Sequence, residues 1–183
     1  MRALHPFPPG RPGGYPTPRP CGRQVFTLRG AATGDLPFLR ELYADTRAAE
    51  LAPVPWPDAT KRHFLDDQFA LQHQHYVLHY ADADFLVIEL DGVPVGRLYA
   101  MRQPSRDFSI VDISLLPAWR GQGIGSMLIR DLQREASVAV RPLWLHVSMH
   151  NPSARRLYER LGFKDDGFEG PYQRMCWRPD GLS

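Results

Sequence analysis

The sequence predicts a mixed α/β domain, an α+β arrangement with one mixed sheet, that follows a short N-terminal arm. Three observations support this prediction. Proline and glycine crowd the first 22 residues, and an apolar strand later runs into a glycine-rich loop and an amphipathic helix. The predicted elements follow the order β-α-α-β-β-β-α-β-α-β-β. A chain of 183 residues with 43% hydrophobic content suits one domain of this kind.

The arm covers residues 1–22 and contains seven of the 18 prolines together with four glycines. Proline removes a backbone donor and fixes φ, whereas glycine adds conformational entropy. We therefore expect an irregular segment with stretches of polyproline II. The globular domain is predicted to occupy residues 23–183.

Charge and composition exclude several classes of protein. The net charge is +2, but the arm holds three arginines and no acid, so residues 23–183 carry 19 basic against 20 acidic side chains, a net charge of −1. This balance predicts no nucleic-acid surface. No apolar run is long enough for a membrane span, and the N-terminus lacks a secretory apolar region. Two cysteines, Cys21 and Cys176, make neither a disulfide framework nor a zinc site. We expect a cytoplasmic protein.

The first half of the domain shows clear strand and helix signals. Asp35 and Asp58 each precede residues with helical apolar spacing and are expected to cap the two helices. The Asp91-Gly92 pair is typical of a hairpin turn. The predicted elements are a strand at 24–29, a helix from Asp35, a helix from Asp58 to about Tyr80, and strands at 84–90 and 94–101.

The second half alternates strands and helices. Leu143, Leu145, Val147 and Met149 fall on one face of a strand by their period of two. The predicted elements are strands at 108–116 and 143–149, a helix that ends near Ala139, a short helix at 152–161, and strands at 163–168 and 172–178.

The stretch Arg120-Gly-Gln-Gly-Ile-Gly125 joins the apolar strand at 108–116 to the next helix. It is not a dinucleotide fingerprint, because Ser126 stands where the third glycine is required, and it lacks the Gly-Lys-Ser/Thr of a Walker A loop. Glycines let successive N–H groups converge at a helix N-terminus, which can hold a pyrophosphate. A plain tight turn is the alternative.

A second motif, Asn151-Pro-Ser-Ala-Arg-Arg-Leu-Tyr-Glu-Arg-Leu-Gly-Phe163, follows the strand at 143–149. Asn151 is a favourable N-cap residue, Pro152 suits the first helical position, and Gly162 suits the C-terminal stop. Taken alone, this motif predicts only a well-capped short helix with Tyr158 on its apolar face.

The two motifs in this order resemble the GCN5-related N-acetyltransferase family over roughly residues 24–178. The resemblance implies a sheet splayed between its fourth and fifth predicted strands, with acetyl-CoA as cofactor in the gap. Backbone groups of the fourth strand would bind the pantetheine arm, and the glycine loop would bind the pyrophosphate. The implied cofactor-binding residues are Ile113, Leu115, Leu116, Arg120, Gly121, Gln122, Gly123, Ile124, Gly125, Ser126, Asn151 and Ala154.

The resemblance implies one catalytic residue, and the strand pattern offers a candidate for a second. Tyr158 would act as the general acid for the leaving thiolate, with a core aromatic as the alternative. Asp112 shares a strand face with Ser114, and a carboxylate on a central strand needs a partner or a purpose. We expect Asp112 to bind the substrate or act as the base, directly or through water, and a structural hydrogen bond is the alternative. Glu89 is a weaker candidate.

Acceptor recognition in this family implicates the first two helices and the C-terminal hairpin. The acceptor would be an amine of a small molecule or a protein, and homodimers are common among relatives. His75 and His79 have the spacing of half a metal site, but no third ligand is evident, so no metal is predicted. The candidate substrate residues, each also explicable as an ordinary surface or packing residue, are Glu50, Trp56, Gln72, His73, Tyr76 and Tyr172.

The leading function is thus an acetyl-CoA-dependent N-acetyltransferase that acts by direct attack in a ternary complex. A catalytically silent CoA-binding sensor or interaction module is the rival function. The presence of Tyr158 and Asn151 favours the enzyme.

Overall fold

A computed structural model describes residues 4–10, 19–21 and 24–182. Much of the arm predicted at 1–22 lies outside these residues, so its separation from the domain at 23–183 stays a prediction. Within the described residues the order is β-β-α-α-β-β-β-α-β-α-β-β, which is the predicted order preceded by one extra strand. The elements are β1 (Arg19–Cys21), β2 (Gln24–Gly30), α1 (Leu36–Leu51), α2 (Asp58–His79), β3 (Asp84–Leu90), β4 (Val93–Met101), β5 (Phe108–Leu115), α3 (Ile124–Ala139), β6 (Leu143–Ser148), α4 (Pro152–Arg160), β7 (Lys164–Glu169) and β8 (Tyr172–Trp177).

The described chain forms two compact units. The first unit comprises the described residues up to Leu98 together with Ser114–Arg120. The second unit comprises Tyr99–Ile113 and the described residues from Gly121 onward. In the described residues no helix has the length and apolar character that crossing a membrane requires.

In the first unit, strands β1, β2, β3 and β4 are neighbours in that order. The short edge strand β1 pairs with β2 in antiparallel fashion, with Arg19 opposite Phe26. This strand replaces the irregular structure expected for these residues. Pro20 lacks an N–H group, but an edge strand has one side that needs no hydrogen-bond partner, so a proline is tolerated there.

The core of the first unit lies between α1 and α2, and the N-terminal arm contributes to it. Leu4 and Phe7 pack against the buried side chains of the two helices. The Phe7 ring makes an edge contact with His73 of α2 at 4.9 Å and a tilted contact with Phe85 of β3 at 5.5 Å. The described part of the arm is therefore attached to the helical layer.

An ion-pair network fixes the start of α1. Arg29 of β2 donates to both carboxylate oxygens of Asp35 at 2.7 Å, and its Nε donates to Glu89 at 2.6 Å. Asp35 occupies the expected N-cap position, but its carboxylate accepts from Arg29 and from the Ala32 N–H and does not cap α1. The N-cap position of Asp35 is thus as predicted, whereas the prediction for Asp58 was wrong, because Pro57 is the N-cap of α2.

Gly96 of β4 lies in a crowded environment of the first unit. A Cβ atom at this position would lie 2.4 Å from the carbonyl oxygen of Ser114 and 2.7 Å from Cδ2 of Leu115. The nearest obstacle is backbone, which cannot rotate away as a side chain does. Glycine at position 96 is therefore required by the close approach of β4 to the end of β5.

Replacement of Gly96 by alanine is expected to destabilise the protein by about 2 kcal/mol, the usual cost of overpacking. Gly34 provides a matched control, because a Cβ atom added there would meet nothing within 4 Å. Chemical denaturation of both alanine variants measures the difference. Equal stability of the Gly96→Ala variant and the parent would contradict this account.

In the second unit, strands β5, β6, β8 and β7 are neighbours in that order. Strands β5 and β6 are parallel, but their pairing covers only Phe108–Ile110 against Leu143–Leu145. Both strands continue beyond these pairs, to Leu115 and Ser148. The predicted splay between these strands is thus present.

Helix α3 confirms the stripe that its sequence predicts, since Ile124, Leu128, Leu132 and Ala136 are all buried. Both α3 and α4 pack against β6. The prediction for Met149 was wrong: this side chain is 63% exposed, because β6 ends at Ser148 and no longer imposes the alternation of a strand.

Helix α4 is capped as its sequence predicts. Asn151 Oδ1 accepts a hydrogen bond from the Ala154 N–H at 3.0 Å. Gly162 has a φ of +87°, the left-handed conformation of a C-terminal stop. Leu161 is the C-cap, so α4 ends one residue earlier than predicted.

Candidate functional site

The glycine loop of the second unit leads directly into α3. Gly121 and Gly123 have φ values of +74° and +85°, which disfavour any residue with a side chain. Gly123 is the N-cap of α3, and the first intrahelical bond there runs from the Met127 N–H to the Gly123 carbonyl at 3.0 Å. The N–H groups of the first helical turn therefore have no intrahelical acceptor.

The space above this loop is open. A Cβ atom at Gly121, Gly123 or Gly125 would have no protein atom within 4 Å. Gly125 is the informative position, because its φ is not in the left-handed range and no neighbour crowds it. Neither strain nor internal packing explains glycine at 125, and the missing side chain leaves room for an external group to approach the helix N-terminus. Such a terminus carries about half a positive charge and favours anions.

Tyr158 of α4 is buried, with 8% of its surface exposed, and its ring makes an edge contact with Phe163 at 5.9 Å. Burial raises the pKa of Tyr158 to about 12, and the negative charge of Asp112 acts on this pKa in the same direction. The phenol is therefore protonated at neutral pH. A protonated, buried hydroxyl is suited to donate a proton or a hydrogen bond.

Asp112 lies on β5 two residues beyond Ile110, the last residue that pairs with β6. It is half-buried, on the same strand face as the buried side chains of Phe108 and Ile110. Its charge adds to the effect of burial in raising the pKa of Tyr158, so the carboxylate lies within electrostatic range of the phenol. The structure thus brings together the two residues that the sequence analysis selected as catalytic.

Three expected cofactor residues belong to the first unit. The Leu116 N–H donates to the Val95 carbonyl at 2.9 Å, and the Leu115 carbonyl accepts from Nε of Arg120 at 2.8 Å. The Leu116 donor is thus engaged within the protein. The guanidinium of Arg120 is held by the end of β5 through Nε.

Two of the expected acceptor residues of α2, Gln72 and Tyr76, contact Arg97, a buried arginine of β4. Arg97 donates to Gln72 at 2.8 Å and lies 6.0 Å from the centre of the Tyr76 ring. His73 is only 3% exposed, and its Nε2 donates to the His5 carbonyl at 2.6 Å. Burial lowers the pKa of His73, so its ring is neutral at pH 7. Gln72 and Tyr76 thus share one partner, whereas His73 anchors the arm.

The remaining expected acceptor residues are exposed. Glu50 pairs with Arg47 at 2.8 Å, one turn away on α1. Trp56 makes an edge contact with Phe64 at 5.5 Å in the first unit. Tyr172 opens β8 in the second unit, opposite Ser148.

His75 and His79 stack at 4.3 Å between ring centres, and Nδ1 of His79 donates to the His75 carbonyl at 3.0 Å. No group of three His, Cys, Asp or Glu side chains with the geometry of a metal site occurs in the part of the chain that the structure describes. Glu89, the weaker candidate for a base, is the partner of Arg29 in the first unit.

Sequence reasoning overlooked Arg97 and Gln133. Arg97 could have been found by the pattern used for Asp112, a charged residue inside an apolar strand. No pattern in the sequence points to Gln133, because it lies on a helix rich in polar residues and its hydrogen-bond partner is 28 residues away.

The fold is that of an N-acetyltransferase. PaiA N-acetyltransferase from Thermoplasma acidophilum, solved in complex with coenzyme A, superposes with a TM-score of 0.63 at 16% identity, over 84% of this chain and 98% of that chain. The sequence matches the model of the acetyltransferase (GNAT) family over residues 37–163. The chain therefore belongs to the GNAT acetyltransferase family.

Two curated relatives are similar in sequence. The N-alpha-acetyltransferase RimI of Mycobacterium tuberculosis is 31% identical over 121 residues, which is 66% of this chain and 69% of the relative. YycN of Bacillus subtilis, an uncharacterised N-acetyltransferase, is 38% identical over 63 residues, and this match spans 34% of the chain and 40% of the relative.

Proposed function

We propose that this protein is an acetyl-CoA-dependent N-acetyltransferase that transfers an acetyl group to a primary amine by direct attack in a ternary complex. The observation that carries the proposal is found within the second unit. An open glycine loop at a helix N-terminus accompanies a buried, protonated tyrosine that interacts with a carboxylate. Family membership supports the same reaction.

The glycine loop fits the anionic part of acetyl-CoA. A Cβ atom at Gly121, Gly123 or Gly125 would point into open space, so the loop can admit a bulky pyrophosphate close to its backbone. Gln122, Ile124 and Ser126 complete this proposed cradle.

The other proposed donor contacts lie outside the loop. Arg120 directly precedes Gly121 in sequence, and the N–H groups that it does not use on Leu115 are available to phosphate. Ile113 and Leu115 would bind the pantetheine arm through their backbones. Leu116, which directly follows Leu115, would lie beside this arm. Asn151 and Ala154 would shape the N-terminus of α4.

Two side chains would transfer the protons of the reaction, one as base and one as acid. Asp112, directly or through a water molecule, accepts the proton that the attacking amine must lose. The new C–N bond forms as the C–S bond of the thioester breaks. Tyr158 donates its phenolic proton, or a hydrogen bond, to the sulfur that leaves. The raised pKa of Tyr158 keeps that proton in place until the sulfur becomes negative.

The acceptor is proposed to be an amine of a small molecule or a protein. The similarity to RimI, named an N-alpha-acetyltransferase, makes peptide α-amines the first acceptors to test. Glu50, Trp56, Gln72, Tyr76 and Tyr172 are proposed to contact the acceptor. His73, which holds the arm, is proposed to act only by fixing α2. A homodimer and a cytoplasmic location stay predictions.

The experiment that tests the function is acetylation of an amine panel, comprising peptides with free N-termini, polyamines and amino acids, monitored by release of free CoA thiol. Amine-dependent release of CoA with at least one acceptor is expected. Tight binding of CoA without turnover on any acceptor would favour a CoA-binding sensor.

Replacement of Tyr158 by phenylalanine should lower kcat by about 100-fold, the usual contribution of a general acid. The KM for acetyl-CoA should stay within about twofold, because the ring and its contact with Phe163 remain. Steady-state kinetics with the best acceptor measure both constants. An unchanged kcat would reject the acid role. Because the pKa is about 12, ionisation of Tyr158 should not limit kcat between about pH 6 and pH 9.

Replacement of Gly125 by glutamine should preserve stability while it weakens CoA binding by at least about tenfold. A Cβ atom at this position would meet no protein atom within 4 Å, and glutamine favours a helix by close to 1 kcal/mol relative to glycine. Thermal unfolding and calorimetric titration with CoA measure the two effects. Val138→Gln on the same helix is the control, since Val138 is 88% exposed. Unaltered CoA affinity in Gly125→Gln would contradict the cradle.

A further inference from the structure

A hydrogen bond from Gln133 links the side chain of an α3 residue to the C-terminal end of α4. Its Nε2 donates to the Leu161 carbonyl at 2.7 Å, and Gln133 itself is 8% exposed. The last carbonyls of an α-helix lack intrahelical donors, and Leu161 is the C-cap of α4. Gln133 thus supplies the donor that this helix end needs.

The bond acts on the helical turn that carries Tyr158. Leu161 follows Tyr158 by three residues, and the Tyr158 carbonyl accepts from the N–H groups of Leu161 and Phe163 at 3.0 Å. A shift of the Leu161 carbonyl therefore moves the backbone that directs the Tyr158 side chain. The helix is only nine residues long, so a displacement at its end is not absorbed along its length.

The other end of α3 begins at the glycine loop. Gln133 lies nine residues after Ile124, so about 14 Å of helix separates it from the first residue of α3. The buried side chains of α3 on this path, Ile124, Leu128, Ile129 and Leu132, keep the helix fixed in its unit. Any group held at the loop is thereby held at a set distance from Gln133.

We infer that Gln133 is a positioning residue: its buried hydrogen bond to Leu161 ties the helix that follows the donor loop to the helix that carries Tyr158. This inference rests on the proposed function, since it assigns Gln133 an effect on catalysis through Tyr158. Gln133 does not touch the reacting atoms. It fixes where the phenol stands relative to the thioester sulfur, and an error of about 1 Å in such a position can cost about 100-fold in rate.

The test replaces Gln133 by methionine, which keeps the length of the side chain and removes its donor. We expect kcat to fall by about tenfold while the KM for acetyl-CoA changes by less than about twofold, because the loop itself is unaltered. Glu135→Met is the matched control. Glu135 lies on the same helix and accepts from buried Arg102 at 2.8 and 2.9 Å, so its loss breaks a different polar link of α3. The control should lower the Tm without lowering kcat.

A double-mutant cycle distinguishes positioning from a general structural effect. In the Tyr158→Phe background, Gln133→Met should reduce kcat by less than about twofold, because no phenol remains to be misplaced. Additive losses would show that Gln133 acts independently of Tyr158 and would overturn the inference. An unchanged kcat in Gln133→Met would also overturn the inference. A loss of kcat in Glu135→Met equal to that in Gln133→Met would overturn it as well.

Gln133→Asn keeps the proposal testable if the methionine variant does not fold. It retains the amide but is one methylene shorter, and it should give a kcat between those of the parent and Tyr158→Phe. A kcat equal to that of the parent would overturn the inference. An unchanged kcat in Tyr158→Phe would instead reject the acid role itself, which separates failure of the proposed function from failure of the positioning role.

Discussion

The proposed catalytic site depends on the point at which β5 and β6 stop pairing. Three residue pairs join these parallel strands, and the last of them is Ile110 with Leu145. Parallel strands normally satisfy each other's backbone groups along their length. Once the strands diverge, the later residues of β5 need not follow the neighbouring strand. Asp112 lies in this divergent part. Its carboxylate can therefore occupy a central strand without being packed inside a continuous apolar layer.

Burial and a nearby charge together keep Tyr158 neutral. Burial in an apolar surrounding penalises the phenolate, and a carboxylate nearby penalises it further. A phenolate at position 158 would be unfavourable for both reasons, so Tyr158 is neutral at pH 7. In the proposed mechanism, the acyl transfer needs a phenol that keeps its proton and a carboxylate that can accept one.

Local signals in the sequence predicted local features well. The Asn151 cap, the Gly162 stop and the buried stripe of α3 follow from spacing within single elements, and the structure confirms them. Features that depend on distant partners were missed. In the sequence Gly96 is an ordinary glycine of a strand, and only the structure shows that it lies against Ser114. No residue near Gln133 in the sequence indicates its hydrogen bond to the Leu161 carbonyl. The residues of the candidate site could be proposed from the sequence because each motif is one continuous stretch, whereas the contacts that hold the motifs in place were missed.

The attachment of the arm has a consequence for the order in which the protein assembles. The His73 ring is hydrogen-bonded to the His5 carbonyl although 68 positions separate the two residues, and the Phe7 ring contacts the Phe85 ring. During synthesis at about 5–20 residues per second, the arm emerges seconds before the surface that receives it. Closing so long a loop is entropically unfavourable until α2 and β3 have formed. The arm is therefore made before α2 and β3 but reaches its native place after them, because the helical layer that receives it must fold first.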